Sequence, residues 1–164
     1  MDYMNILLFI IFGFLAVWML MGIVRTSKQI TIKDKLWTFN RILFLLAGIF
    51  AMLSVFVYNS IWDVLRLFAM MAAIIGFLLM RDGIGDEGFV TTGTYVPYIH
   101  VKNYDYALQK KKFTVYFVYS DPKGKGKDKG VYNASIDFHP DDQEEIKKLL
   151  KERIGRKYMR MKKN

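Results

Sequence analysis

Residues 6–24 read ILLFIIFGFLAVWMLMGIV, nineteen consecutive residues without a charge. A helix rises about 1.5 Å per residue, so this run approaches the roughly 30 Å of a bilayer's hydrocarbon core. Ile42 to Tyr58 is a second uncharged run, of seventeen residues. A third runs from Ile61 to Met80 and is free of charge from Leu67 onward. Asp63 and Arg66 stand at its start, three apart. That spacing lets them pair on one helical face, and the end of a span is where ionised groups cost least. A soluble bundle built from three such runs would leave almost no polar surface for water. The reading is therefore three transmembrane helices, over about 6–24, 42–58 and 61–80.

The remainder has a different composition. The 164-residue chain has 24 basic and 15 acidic residues, a net charge of +9. Residues 81–164 hold eighteen of the basic and twelve of the acidic ones, against six and three in residues 1–80. The break divides the chain near Arg81 into a transmembrane domain over 1–82, a second domain over 83–155 and a basic tail over 156–164. A hydrophobic share of 53% excludes a disordered chain. The absence of cysteine excludes a disulfide scaffold, a thiolate zinc site and a cysteine nucleophile. The residues before the first span carry Asp2 and no Lys or Arg, and no small-x-small cleavage site follows it, so the first helix is read as retained.

The loops orient the spans. Between the first and second spans stand Arg25, Lys28, Lys33, Lys35 and Arg41 against Asp34, whereas the stretch after the second has no basic residue before Arg66. The positive-inside rule puts the first loop and the C-terminal domain in the cytoplasm and the N-terminus outside. Ile30, Ile32, Leu36 and Trp37 make that first loop partly apolar. It is expected to lie on the inner leaflet as a short amphipathic helix, with Trp37 at headgroup level. Small residues four apart, at Ala47 and Ala51, Ala69 and Ala73, and Ala72 and Gly76, are candidates for close helix packing.

The second half reads as strands closed by a helix. Phe89-Val90 opens a strand, Thr92-Gly93-Thr94 is a turn, and Tyr95 to Val101 is a strand that Pro97 places at an edge or bulge. Tyr104, Tyr106 and Leu108 alternate with polar residues, and Phe113 to Tyr119 is continuously β-prone. Tyr132, Ala134, Ile136 and Phe138 give the cleanest alternation. Pro140 suits a first helical turn, acidic residues follow at the positive end, and Ile146, Leu149, Leu150 and Ile154 form one apolar face before Gly155. The expectation is about five short strands and one amphipathic helix, an α+β membrane protein.

Gly85 to Ile154, with its glycine turn before the Val96-Pro97-Tyr98-Ile99 phrase and a last strand running into an acidic-start helix, resembles the bacterial PH-like domains of small membrane proteins. The whole chain is similar to uncharacterised three-span bacterial proteins with such a cytoplasmic cap. That resemblance implies a bacterial plasma-membrane protein and brings no catalytic residues.

Apparent chemical motifs fail on their context. Gly83, Gly85 and Gly88 match G-x-G-x-x-G, but a span precedes and a strand follows where a dinucleotide site needs a strand and then a helix, and Asp86 and Glu87 repel phosphate. The three glycines are read as a flexible hinge leaving the membrane. His100 and His139 are too scattered for a triad, and the acids after His139 are explained by the helix start. No cofactor or metal is expected, and no enzymatic activity.

The basic clusters are the most suggestive polar feature. Lys123, Lys125, Lys127 and Lys129 alternate with glycine and Asp128, and Arg156, Lys157, Arg160, Lys162 and Lys163 end the chain. Basic residues beneath an anionic leaflet gain about 1 kcal/mol each. These nine residues are the candidate contacts for anionic lipid headgroups or a partner protein. Nucleic acid is disfavoured, since only Tyr158 stands among the tail's charges. The expected function is a non-enzymatic membrane adaptor or regulator. The alternative is a small accessory subunit of a membrane enzyme or transporter.

Overall fold

The computed structural model describes residues 2–58, 60–121 and 130–160. The chain divides into two compact units, 1–25 with 36–80 and 26–35 with 81–164.

The first unit contains three helices, α1 (Asp2–Thr26), α2 (Phe39–Leu53) and α3 (Ile61–Leu79). Each is long and apolar enough to cross a membrane once the single-turn continuation Ser54–Val57 is counted with α2. Thr38 and Ser60 cap the second and third helices by accepting from the Arg41 and Trp62 amides. Ala69, Ala73 and Gly76 are buried, as expected, and a Cβ on Gly76 would stand 3.2 Å from Met19. Ala47 and Ala72 are exposed, whereas Ala16 and Gly48, which the small-residue spacing did not single out, are buried.

Two polar clusters tie these helices. The Asp63–Arg66 pair forms at 3.6 Å. Asn5, which the sequence reading passed over, joins it: its amide donates to Asp63 Oδ1 at 2.7 Å and accepts from Arg66 Nη1 at 2.6 Å. Arg66 also lies 5.6 Å from the Tyr58 ring centre. Arg41 is buried and donates to the Leu36 and Met80 carbonyls, at 3.2 and 2.8 Å, so its charge caps the end of α3.

The second unit is built from two separated stretches of chain. The first loop does not form the expected amphipathic helix. After a single turn at Ser27–Gln29 it becomes strand β1 (Ile32–Lys33), which pairs antiparallel with β2 (Gly83–Ile84). Strands β3 (Gly88–Thr91) and β4 (Thr94–Pro97) complete a sheet in the order β1-β2-β3-β4. Thr92 and Gly93 both have positive φ, 49° and 71°, as a two-residue hairpin with primed turn geometry requires. The strand expected over Tyr95–Val101 ends at Pro97, which has no N–H to continue a ladder. A 3-10 turn at Tyr98–His100 makes a corner, and β5 (Val101–Gln109) starts a second sheet with β6 (Lys112–Ser120) and β7 (Val131–Phe138). Among the described residues, seven strands in two sheets stand where about five were expected. A turn at Pro140–Asp142 leads into α4 (Gln143–Ile154).

One core joins all these parts. Phe89 of the first sheet stacks on Phe117 of the second at 4.2 Å, and Ile84, Val96, Phe113, Ile136, Phe138 and the α4 residues Ile146 and Leu150 belong to the same cluster. The glycines read as a hinge are packing positions. A Cβ on Gly83 would lie 2.5 Å from the Ile32 carbonyl oxygen, and one on Gly85 2.0 Å from that of Gln29, so both residues admit the first loop against β2.

Candidate interaction surface

Three of the nine basic candidates fall in the described part of the tail. The chain leaves α4 through a turn at Gly155–Lys157 and then runs beside β5. There the Met159 amide donates to the Tyr104 carbonyl at 3.0 Å, and the Tyr158 ring packs 5.5 Å from Tyr104 and 5.2 Å from Tyr106. Arg156 and Arg160 are exposed. Lys157 is half-buried and its ammonium donates to the Tyr98 and Val101 carbonyls at 2.8 and 2.7 Å. It closes the corner between the two sheets. Lys123, Lys125, Lys127, Lys129, Lys162 and Lys163 lie outside the described residues.

Further basic residues decorate this unit. Lys110 and Lys111 are exposed at the β5–β6 turn. Lys112 is paired with Asp137 at 2.8 Å, and Arg153 with Asp86 at 3.2 Å. Lys147 on α4 lies 5.2 Å from the Tyr106 ring centre, its charge resting on an aromatic face. The first loop is held by charge as well. Arg81 Nε donates to Asp34 Oδ1 at 2.6 Å, and its guanidinium also donates to the Asp34 carbonyl. Asp34 is buried, so this ion pair is among the more shielded charges of the unit.

Tyr98 marks the corner's interior. Its hydroxyl donates to the Gly85 carbonyl at 2.8 Å. Burial pushes its phenol well above the ordinary tyrosine range, and the Tyr95 phenol and Asp86 carboxylate add to the rise. It therefore stays a neutral donor. Tyr98→Phe leaves the buried Gly85 carbonyl without this donor, which is expected to cost about 1–3 kcal/mol. A folded-state pKa above the unfolded value of about 10 means that stability is fully present below pH ~10 and lost as pH rises past it. Urea midpoints across an alkaline series are expected to fall less steeply in Tyr98→Phe. An unchanged slope would remove Tyr98 from the alkaline transition.

Residues 80–155 match the model of a domain of unknown function (DUF5673). The match begins at Met80 and so leaves out the stretch that supplies β1. No curated protein and no solved structure matches the chain.

Proposed function

We propose that this chain is a non-enzymatic adaptor of the bacterial plasma membrane that holds a basic PH-like domain on the cytoplasmic side, at the inner leaflet, for a protein partner. The β1–β2 pairing carries the reading. Helices α2 and α3 lie between these strands in the chain, and strands that share hydrogen bonds lie on one side of any bilayer. An even number of crossings meets that condition, which favours α2 and α3 spanning as a pair. The five basic residues against one acid in the first loop favour the cytoplasmic side, with α1 leading outward. Two consecutive antiparallel sheets closed by α4 support the PH-like reading.

The chain has no cysteine, so single introduced thiols report sidedness cleanly. A membrane-impermeant maleimide is expected to label Tyr3→Cys in intact cells and Lys111→Cys only after permeabilisation. The opposite pattern sinks the orientation. Purification of the full chain from native membranes is expected to retain a partner protein in stoichiometric amount. Recovery with lipid alone sinks the adaptor reading.

A further inference from the structure

We propose that the C-terminal half of α1 holds one anionic phospholipid, with an acyl chain laid along Val17, Leu20, Met21 and Val24 and the headgroup phosphate on Arg25. The proposal deepens the inner-leaflet reading above, which puts Arg25 on the side where anionic lipids gather.

These five residues border a shallow depression of about 320 Å³, and all five stand on one helix. Its shape follows from side-chain length. Val17 and Val24 are two turns apart, so they lie nearly in line along the helix. Both are short and β-branched, and they form the floor. Leu20 stands on one side of that line and Met21 and Arg25 on the other, and their longer side chains form the rims. All five are exposed. The helix turns a different side to α3, where a Cβ on Gly76 would stand 3.2 Å from Met19.

The length of the depression matches one leaflet. The uncharged run 6–24 is centred on Leu15, so Val17 stands close to the middle of a bilayer that α1 crosses, and Arg25 just beyond its hydrocarbon. Between Val17 and Arg25 the helix rises about 12 Å, against the roughly 15 Å that half of a 30 Å hydrocarbon core measures. A depression that starts near the midplane, runs most of one leaflet's depth and ends on a cation has the dimensions of one lipid chain beneath its phosphate.

Charge selects the occupant. Arg25 lays its apolar stem along the rim while its head reaches toward water. The guanidinium is a planar fork of donors matched to phosphate oxygens, and it keeps its charge at any physiological pH. A second copy related by a twofold axis along the membrane normal, seated depression to depression, would set Arg25 against Arg25. An uncharged chain would fill the floor and leave the cation unanswered. A phospholipid of net negative charge meets the apolar floor and the cation together.

The test uses the full chain in non-ionic detergent, supplied with equal amounts of dioleoyl phosphatidylglycerol and dioleoyl phosphatidylcholine. Native mass spectrometry reads which lipid stays on the protein last as detergent is stripped. Phosphatidylglycerol is expected to be retained over phosphatidylcholine by about fivefold, the factor that one basic residue at an anionic surface supplies. Arg25→Gln is expected to bring that ratio below about twofold, whereas Arg25→Lys keeps the charge and most of the preference. Lys148→Gln, which removes an exposed charge from α4, is expected to leave the ratio unchanged. Val24→Phe fills the floor and is expected to lower retention of both lipids severalfold at unchanged helix content by circular dichroism. If Val24→Phe loses helix content, Val17→Phe replaces it. Glycerol phosphate, a headgroup without chains, is expected to displace nothing.

A ratio unchanged in Arg25→Gln, an equal fall in Lys148→Gln, or full retention in the filled variant overturns the proposal. So does displacement by glycerol phosphate, which would assign the cation to a free phosphate compound. A dimer that the filled variant abolishes also overturns it, because a second copy would then occupy the depression. The assay is done on purified protein and needs no cellular orientation or protein partner, so its outcome stands apart from the two tests above.

Discussion

A fragment of residues 81–160 alone is expected not to fold to a stable domain, whereas residues 26–35 joined to it through a short Gly-Ser linker are expected to give a soluble, cooperatively folding one. The reason is how much of the first loop lies inside the second unit. Ile32 is 7% exposed within the core. Burying such a side chain contributes about 1.5–3 kcal/mol. The loop also supplies three inter-segment main-chain bonds at the same place: Thr31 N–H to the Ile84 carbonyl, Asp34 N–H to that of Asp82, and Lys35 N–H to that of Asp137, at 2.9, 2.9 and 2.7 Å. Each contributes on the order of 0.5–1.5 kcal/mol. Arg81 would in addition lose the buried carboxylate of Asp34. Together these terms are comparable with the ~5–15 kcal/mol that separates a typical folded domain from its unfolded chain. The Asp34–Asp82 bond brings the two segments together, so a few linker residues close the gap left by α2 and α3. Urea denaturation followed by circular dichroism compares the two fragments. Equal midpoints would show that the loop is dispensable.

What was legible in the sequence follows from the range of the interactions. The three apolar helices were legible because the bilayer's demand is purely local: an uncharged run such as 6–24 needs no knowledge of its neighbours. Strand β7 and helix α4 were legible because Tyr132 to Phe138 alternates with period two and Ile146 to Ile154 repeats at helical spacing. Strand β1 was not legible, because two residues carry no period and the partner lies beyond two helices in the chain. The same gap led Gly83 and Gly85 to be read as freedom when they serve close approach, for a glycine says only that a Cβ is unwelcome. Lys157 read as a contact for anionic lipid or a partner protein on charge alone, and the sequence gives no sign that its ammonium donates to two carbonyls. Asn5 carried a usable signal, a polar residue abutting an apolar run, which in a bilayer calls for a partner. Nothing in the sequence marks which edge of a sheet the tail will run beside, so its place along β5 emerges only from the pairing.

Substitution within α4 separates the centre of its apolar face from its flank. Ile146, Leu150 and Ile154 are spaced by four residues and are all buried, whereas Leu149 lies to one side and is only partly buried against the core. On the opposite flank Lys147 lays its ammonium 5.2 and 5.9 Å from the ring centres of Tyr106 and Phe113. The face meeting the sheets is thus narrower than four apolar positions suggest, and Leu150, fully buried, stands at its middle. Leu150→Ala is expected to cost about 2–5 kcal/mol, because the removed atoms lose their burial and the rigid β-sheet residues around them collapse only in part. Leu149→Ala is expected to cost about 1 kcal/mol, since its outer atoms already face water. Leu150→Met nearly conserves volume and is expected to stay below about 1.5 kcal/mol. That control distinguishes a packing loss from an intolerance of any change at this position. Urea midpoints of the linked 26–35 and 81–160 protein give all three values on one scale. Equal losses for Leu149→Ala and Leu150→Ala would mean that the helix seats on the sheets rotated toward Leu149 in solution, and the packing described for α4 would fall with that result.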